Sequence, residues 1–228
     1  MKKLDIKEYI MNHTKSVIHY TIGALILIAL TIYLIINGKQ TVSHLVLLSR
    51  DNIVLTTVIL LFLFALKSVS FGLPYALLFA TVGAVYPLFY AIIVNIVGIY
   101  INMQIPYFVG RHRGDAFVLY TRNKFPLIEK FYAISSDSQF LFTFVIKIIG
   151  KIPHEITNLF LGALKIHYFS YIFASLLALL PTMLSVTLMA KNYEDPGSPI
   201  FIISLAIFLI MPIISFFIYF TRRDSKKK

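Results

Sequence analysis

Cysteine is absent from this 228-residue chain, and charge is scarce, with only 14% of positions Asp, Glu, Lys or Arg. The first absence excludes a disulfide framework and any thiolate metal site. The second excludes an ordinary soluble domain, in which about 25% of residues are charged and fewer than half are apolar. Here 58% are hydrophobic, so lipid is the expected solvent. Acidic residues are scarcest, 10 against 21 basic, for a formal charge of +11. In a soluble protein that balance would suggest nucleic acid. The basic residues sit mostly between or outside long apolar runs, so orientation in a membrane accounts for them and no nucleic-acid partner is implied. The sequence holds no Ser/His/Asp set, P-loop or dinucleotide fingerprint, so it is not read as an enzyme and no cofactor is expected.

What is present is a series of hydrophobic runs. The first, 17–36, follows Lys2, Lys3, Lys7 and Lys15. Its 20 residues exceed a signal-peptide core, and Asn37-Gly38-Lys39-Gln40 offers no small-x-small cleavage site. A retained helix entering from the cytoplasmic side is expected, since about 20 residues at 1.5 Å each span the hydrocarbon core. Thr41 to Arg50 reads as interfacial. Later runs lie at 53–66, 72–87, 88–109, 139–149, 152–166, 167–190 and 200–220. Of these, 53–66, 72–87, 139–149 and 152–166 are too short to cross comfortably. They form two pairs, each interrupted by a lysine, a glycine and a proline: Lys67 to Pro74, and Lys147 to Glu155. Irregular backbone at membrane depth survives only inside protein or beside a watery cavity, so each pair is predicted to be a re-entrant hairpin.

The distribution of basic residues fixes the orientation. With 53–87 dipping from outside, 139–166 from inside, and 17–36, 88–109, 167–190 and 200–220 crossing, three segments are cytoplasmic. The N-terminus, the 110–138 loop and the tail from Thr221 then hold 4, 5 and 5 basic residues, leaving Lys39, Arg50 and Lys191 outside. Making 53–70 a full crossing would put the basic 110–138 loop outside, against the positive-inside rule. The pairs also repeat. Pro74 and Pro153 are 79 residues apart, as are Leu73 and Ile152, and Gly83-Ala84 and Gly162-Ala163. Lys67 and Lys147 correspond with one residue inserted in the first copy. One crossing separates the copies, so they are inverted, as in secondary transporters. The fold class is thus an all-α polytopic membrane protein: an inverted repeat of two re-entrant hairpins plus about four crossings. Its expected parts are a cytoplasmic N-terminus (1–16), a first crossing with interfacial segment (17–50), a membrane domain (51–190), and a last crossing with basic tail (191–228).

Lysines near the bilayer centre cost about 2.5–3.5 kcal/mol each on insertion scales. Lys67, Lys147 and Lys151 have only Glu155 near them in sequence, leaving surplus positive charge that an anionic ligand could neutralise. The helix beginning near Pro153 could add N–H groups to the same anion. The alternative is snorkelling along the lysine stems. His154 and Glu155 could carry protons, or Glu155 could simply neutralise Lys151. The string His154 to Asn158 resembles a zincin motif but fails, because Asn158 replaces the second histidine, so no metal is expected. Asn158 and Asn95 could bind a headgroup or join helices. Arg111 and Arg113 are candidate cytoplasmic phosphate contacts, and the tail Arg222 to Lys228 reads as a topogenic, anionic-lipid patch. Phe117 to Phe131 reads as an interfacial amphipathic helix.

Phe71-Gly72-Leu73-Pro74 through Gly83, and Tyr107-Phe108-Val109-Gly110-Arg111-x-x-Gly114, resemble the first half of the DedA/VTT-domain superfamily, also called the SNARE-associated Golgi protein family. Lys147-x5-Pro153-x4-Asn158-x3-Gly162, with a later Pro181, is similar to its second half. The resemblance covers about 50–190 and is nearer the yeast-vacuolar-type branch than the DedA branch proper. It implies two facing hairpins and movement of lipids between leaflets. Bacterial relatives are linked to undecaprenyl phosphate or phospholipids, and eukaryotic ones to scrambling. Members often have arginine at the position of Lys147 and proline at that of Gly150. The DedA branch carries acidic residues in the first hairpin, where this chain has none between Asp51 and Asp115, leaving Glu155 as the nearby carboxylate.

The expected function is a flippase or scramblase for an anionic lipid in the bacterial cytoplasmic membrane, with both termini cytoplasmic. Its substrate-binding residues would be Lys67, Pro74, Lys147, Lys151, Pro153, His154, Glu155 and Asn158. The alternatives are a transporter of a small soluble anion or ion, and a non-transporting membrane-organisation or assembly factor. A homo-oligomer is compatible with the pattern but not required by it.

Overall fold

The computed structural model describes residues 47–48, 51–69, 73–114, 138–149 and 152–210. Among them are seven helices and no strand. They are α1 (Ile53–Lys67), α2 (Tyr75–Val85), α3 (Leu88–Arg113), α4 (Gln139–Ile149), α5 (His154–Ala163), α6 (Tyr168–Lys191) and α7 (Pro199–Ile210). The crossing expected at 17–36, most of the interfacial segment, the amphipathic stretch at 117–131, Lys151 and the basic tail lie outside the described residues.

The order is twice short, short, long. The side chain of Asn52 caps α1 by accepting from Leu55 N at 2.9 Å, and α1 ends on Lys67. Pro74, with φ already helix-compatible and no N–H to satisfy, stands immediately before α2, and Pro153 does the same for α5. Among the described residues, the α3 helix and the α6 helix, 26 and 24 residues, are the two long and apolar enough to cross a membrane. The short helices α2 and α5 are tighter than their hydrophobic runs, whereas α3 continues beyond residue 109 to Arg113, through Pro106. Packing explains the extension, because Gly110 and Gly114 hold this last turn directly against α5.

Directions follow from the contacts. Thr57 meets Tyr86 near the start of α3, while the carbonyl of Phe64 accepts from Asn102 farther along, so α1 and α3 run parallel. Asn95 bonds Thr187 and the Tyr171 hydroxyl donates to Met103 O, so α3 and α6 run antiparallel. Each long helix packs on the first short helix of its own half and on the second short helix of the other half. Equivalent glycines make the exchanged contact. A Cβ on Gly162 would lie 2.0 Å from Tyr107 O on α3, and one on Gly83 would lie 2.7 Å from Thr187 O on α6. Both positions therefore require glycine for close helix approach.

Solvent preference is inverted relative to a soluble protein. Phe62 and Phe173 are 64% and 61% exposed, whereas Lys67, Lys147 and Glu155 are buried. Apolar side chains outside and charged side chains inside suit a hydrocarbon surround. Asn95, with two sequence readings open, bridges α3 and α6 as helix–helix glue.

Candidate functional site

The two polar centres, 79 residues apart in sequence, meet in space about midway along α3. Lys67, at the C-terminal end of α1, donates to Glu155 in the first turn of α5, and the two form a buried ion pair across the halves. Helix termini favour this placement: a cation suits the carbonyl end of α1, and a carboxylate suits the N–H end of α5. Glu155 thus has Lys67 as an ion-pair partner across the halves, while Lys151, its expected partner, lies outside the described residues. The lysine Nζ also lies 4.4 Å above the Tyr75 ring, a cation–π contact. Tyr75 donates to Asn102 Oδ1, and Asn102 Nδ2 donates to Phe64 O at 3.0 Å, so both polar atoms of that amide are bonded.

Lys147, in the last turn of α4, is met differently. It is 3% exposed, donates to Asn158 Oδ1, and stands 5.9 Å from the Tyr171 ring centroid. No carboxylate pairs with it among the described residues. A lysine has only donors, so it fixes the Asn158 amide with oxygen inward and leaves Nδ2 as a donor. That Nδ2 is buried with no hydrogen-bond partner among the described residues, as is Nδ1 of His154. His154 sits edge-on to Tyr75 at 5.3 Å, so the two residues that follow the paired prolines touch across the junction. The cluster therefore holds two lysines, one carboxylate and an unmet amide donor, a set suited to an anion.

The remaining predicted residues divide. Pro74 and Pro153 cap the helices that carry Tyr75 and His154 into the junction, and both are themselves exposed. Arg111 is not in the cluster. It lies toward the far end of α3 and donates to the Tyr107 hydroxyl at 2.9 Å and Ile166 O at 3.5 Å. Arg113 ends the same helix.

Sequence reasoning missed Tyr75, Asn102 and Tyr171. The repeat register could have flagged Tyr75, which follows Pro74 as His154 follows Pro153. Asn102 carried the same signal as Asn95, a polar residue in an apolar crossing. Tyr171 carried none; only the packing of α4 on α6 brings its ring beneath Lys147.

Outside the cluster, an apolar groove of about 320 Å³ lies between α3, α4 and α6, lined by residues including Ile96, Phe140, Phe173, Leu177 and Met183.

No curated protein and no solved structure matches the chain. A family model described as the VTT domain matches residues 73–192, more than half its length, and that span takes in α2 to α6 and every cluster residue except Lys67. With paired broken helices, buried lysines and glycine-mediated contacts in place, the chain belongs to the VTT-domain family, the DedA/SNARE-associated Golgi protein family of membrane proteins.

Proposed function

We propose that this protein moves an anionic lipid between membrane leaflets, with α1–α2 and α4–α5 as two facing re-entrant hairpins. Four crossings complete the fold in this reading: 17–36, α3, α6 and 200–220, with both termini on the cytoplasmic side. The headgroup phosphate passes where the hairpin tips meet, and the hydrocarbon tail stays in the bilayer. The observation that carries this is the unbalanced charge at the junction, where Lys147 has Asn158 rather than a carboxylate as its partner. Burying a lysine without a counter-ion is costly, and a transient phosphate removes that cost. The parallel run of α1 with α3 supports the hairpin reading, because the chain must reverse between them through α2. The groove beside α6 favours a lipid over a soluble anion, since its lining is apolar.

The test is reconstitution of the full chain into proteoliposomes, with labelled polyprenyl phosphate and labelled phospholipids assayed separately, without and with an imposed pH gradient. Movement of an anionic lipid above protein-free vesicles supports the reading, and the faster label names the substrate. Folded protein that moves no lipid but passes a soluble anion would replace it with solute transport. Neither movement would leave a membrane-organising role.

A further inference from the structure

Within that reading, the two equivalent lysines have different neighbours, and the difference bears on which anion is taken. In the repeat register Glu155 corresponds to Ala76, and Asn158 corresponds to Phe79. Lys67 is thus neutralised by the opposite half and enclosed by Tyr75, which stacks on Phe79 at 5.3 Å. Position 76, where symmetry would place a carboxylate for Lys147, is alanine. Among the described residues the buried charges are Lys67, Lys147 and Glu155, and these three sum to one formal positive charge. That charge sits at Lys147, beside the unmet Nδ2 donor of Asn158.

We infer that Lys147 and Asn158 form the anion site, and that Glu155, by neutralising Lys67, limits its charge to plus one, so that the site selects a singly charged phosphodiester over a doubly charged phosphomonoester. A phosphodiester carries one negative charge, which balances the sum of Lys67, Lys147 and Glu155. A phosphomonoester carries close to two above its second pKa of about 6, leaving one charge uncompensated away from water. Lys67 does not contribute a second charge, because releasing it would strand the Glu155 carboxylate in the same dry interior.

Binding of two probes with identical acyl chains, phosphatidylglycerol and phosphatidic acid, to the full chain in detergent at pH 7.0 tests this. The wild type is expected to prefer the diester by about tenfold, a modest preference of about 1.4 kcal/mol. Glu155→Gln should move the ratio about tenfold towards the monoester. Lys147→Met should lose both lipids. The double variant Lys67→Met/Glu155→Met removes the pair without changing formal charge, so it should keep the wild-type ratio, and it serves even where Glu155→Gln alone fails to fold. A lost diester preference in the double variant, or an unchanged ratio in a folded Glu155→Gln, would overturn the inference. Equal binding of both lipids by the wild type would overturn it while leaving the proposed function standing. Binding of neither would overturn the inference and leave the proposed function to the flux assay.

Discussion

The two halves share one backbone plan and differ in chemistry at the tips. In each, a short helix carries a lysine in its last turn, and a second short helix starts after proline and packs through glycine on the other half's long helix. In the first half the surroundings of the lysine are closed: Glu155 takes its charge, and Tyr75 and Phe79 stack beside it. In the second half they are open to chemistry, with Asn158 the hydrogen-bond partner of Lys147 and its amide donor unmet. A duplicated backbone thus supplies two cationic tips, and side-chain replacement at two register positions, 76/155 and 79/158, gives them separate roles.

The largest effect should come from unbalancing the closed half. Lys67→Ala strands the buried Glu155 carboxylate and should cost about 3–5 kcal/mol, read as lost thermal stability in detergent. Adding Glu155→Ala to it should recover much of that loss; a double variant no more stable than the single would mean that the pair is not energetically coupled. Next come the exchanged glycine contacts. Gly162→Ala places a methyl 2.0 Å from a backbone oxygen and Gly83→Ala one 2.7 Å away, so both should destabilise, the first more. Overpacking of this kind costs about 1–3 kcal/mol. Equal melting temperatures for the two variants would remove this difference between the halves. Tyr171→Phe deletes the hydrogen bond to Met103 O and should cost about 1 kcal/mol in the same assay.

The smallest effect concerns the end of α5. Lys165 has φ of 55°, the left-handed conformation at the residue after the cap, with its N–H bonded to Gly162 O and that of Ile166 to Leu161 O. Lys165→Gly removes the side-chain strain and should stabilise by about 1 kcal/mol, read as a raised midpoint of thermal unfolding.

Much of this arrangement was legible in the sequence because membranes punish exceptions. Lysine, glycine and proline inside apolar runs stand out, and the recurrence of this trio, with its prolines 79 residues apart, marked both tips, Lys147, Asn158 and Glu155 included. The pairing was not legible. Glu155 lies nearer in sequence to Lys151 and Lys147 than to Lys67, and only the approach of the two halves brings the distant lysine to it. The bond from Arg111 to the Tyr107 hydroxyl, one helical turn away, was not legible either, because a basic residue at a membrane flank carries no local sign of its protein partner. Tyr171 was hidden for a related reason, since aromatic residues in a crossing are usually packing and nothing local separates the one beneath a lysine.

The most direct test of the central claim is lipid flux through Lys147→Ala, in proteoliposomes matched for folded protein with the wild type and with Lys67→Met/Glu155→Met. Removing the unpaired cation should lower flux of an anionic lipid by about tenfold or more, as expected for loss of a charged hydrogen bond, while the double variant keeps most of it. Wild-type flux through Lys147→Ala would contradict the account and move the translocation path away from the junction of the two tips.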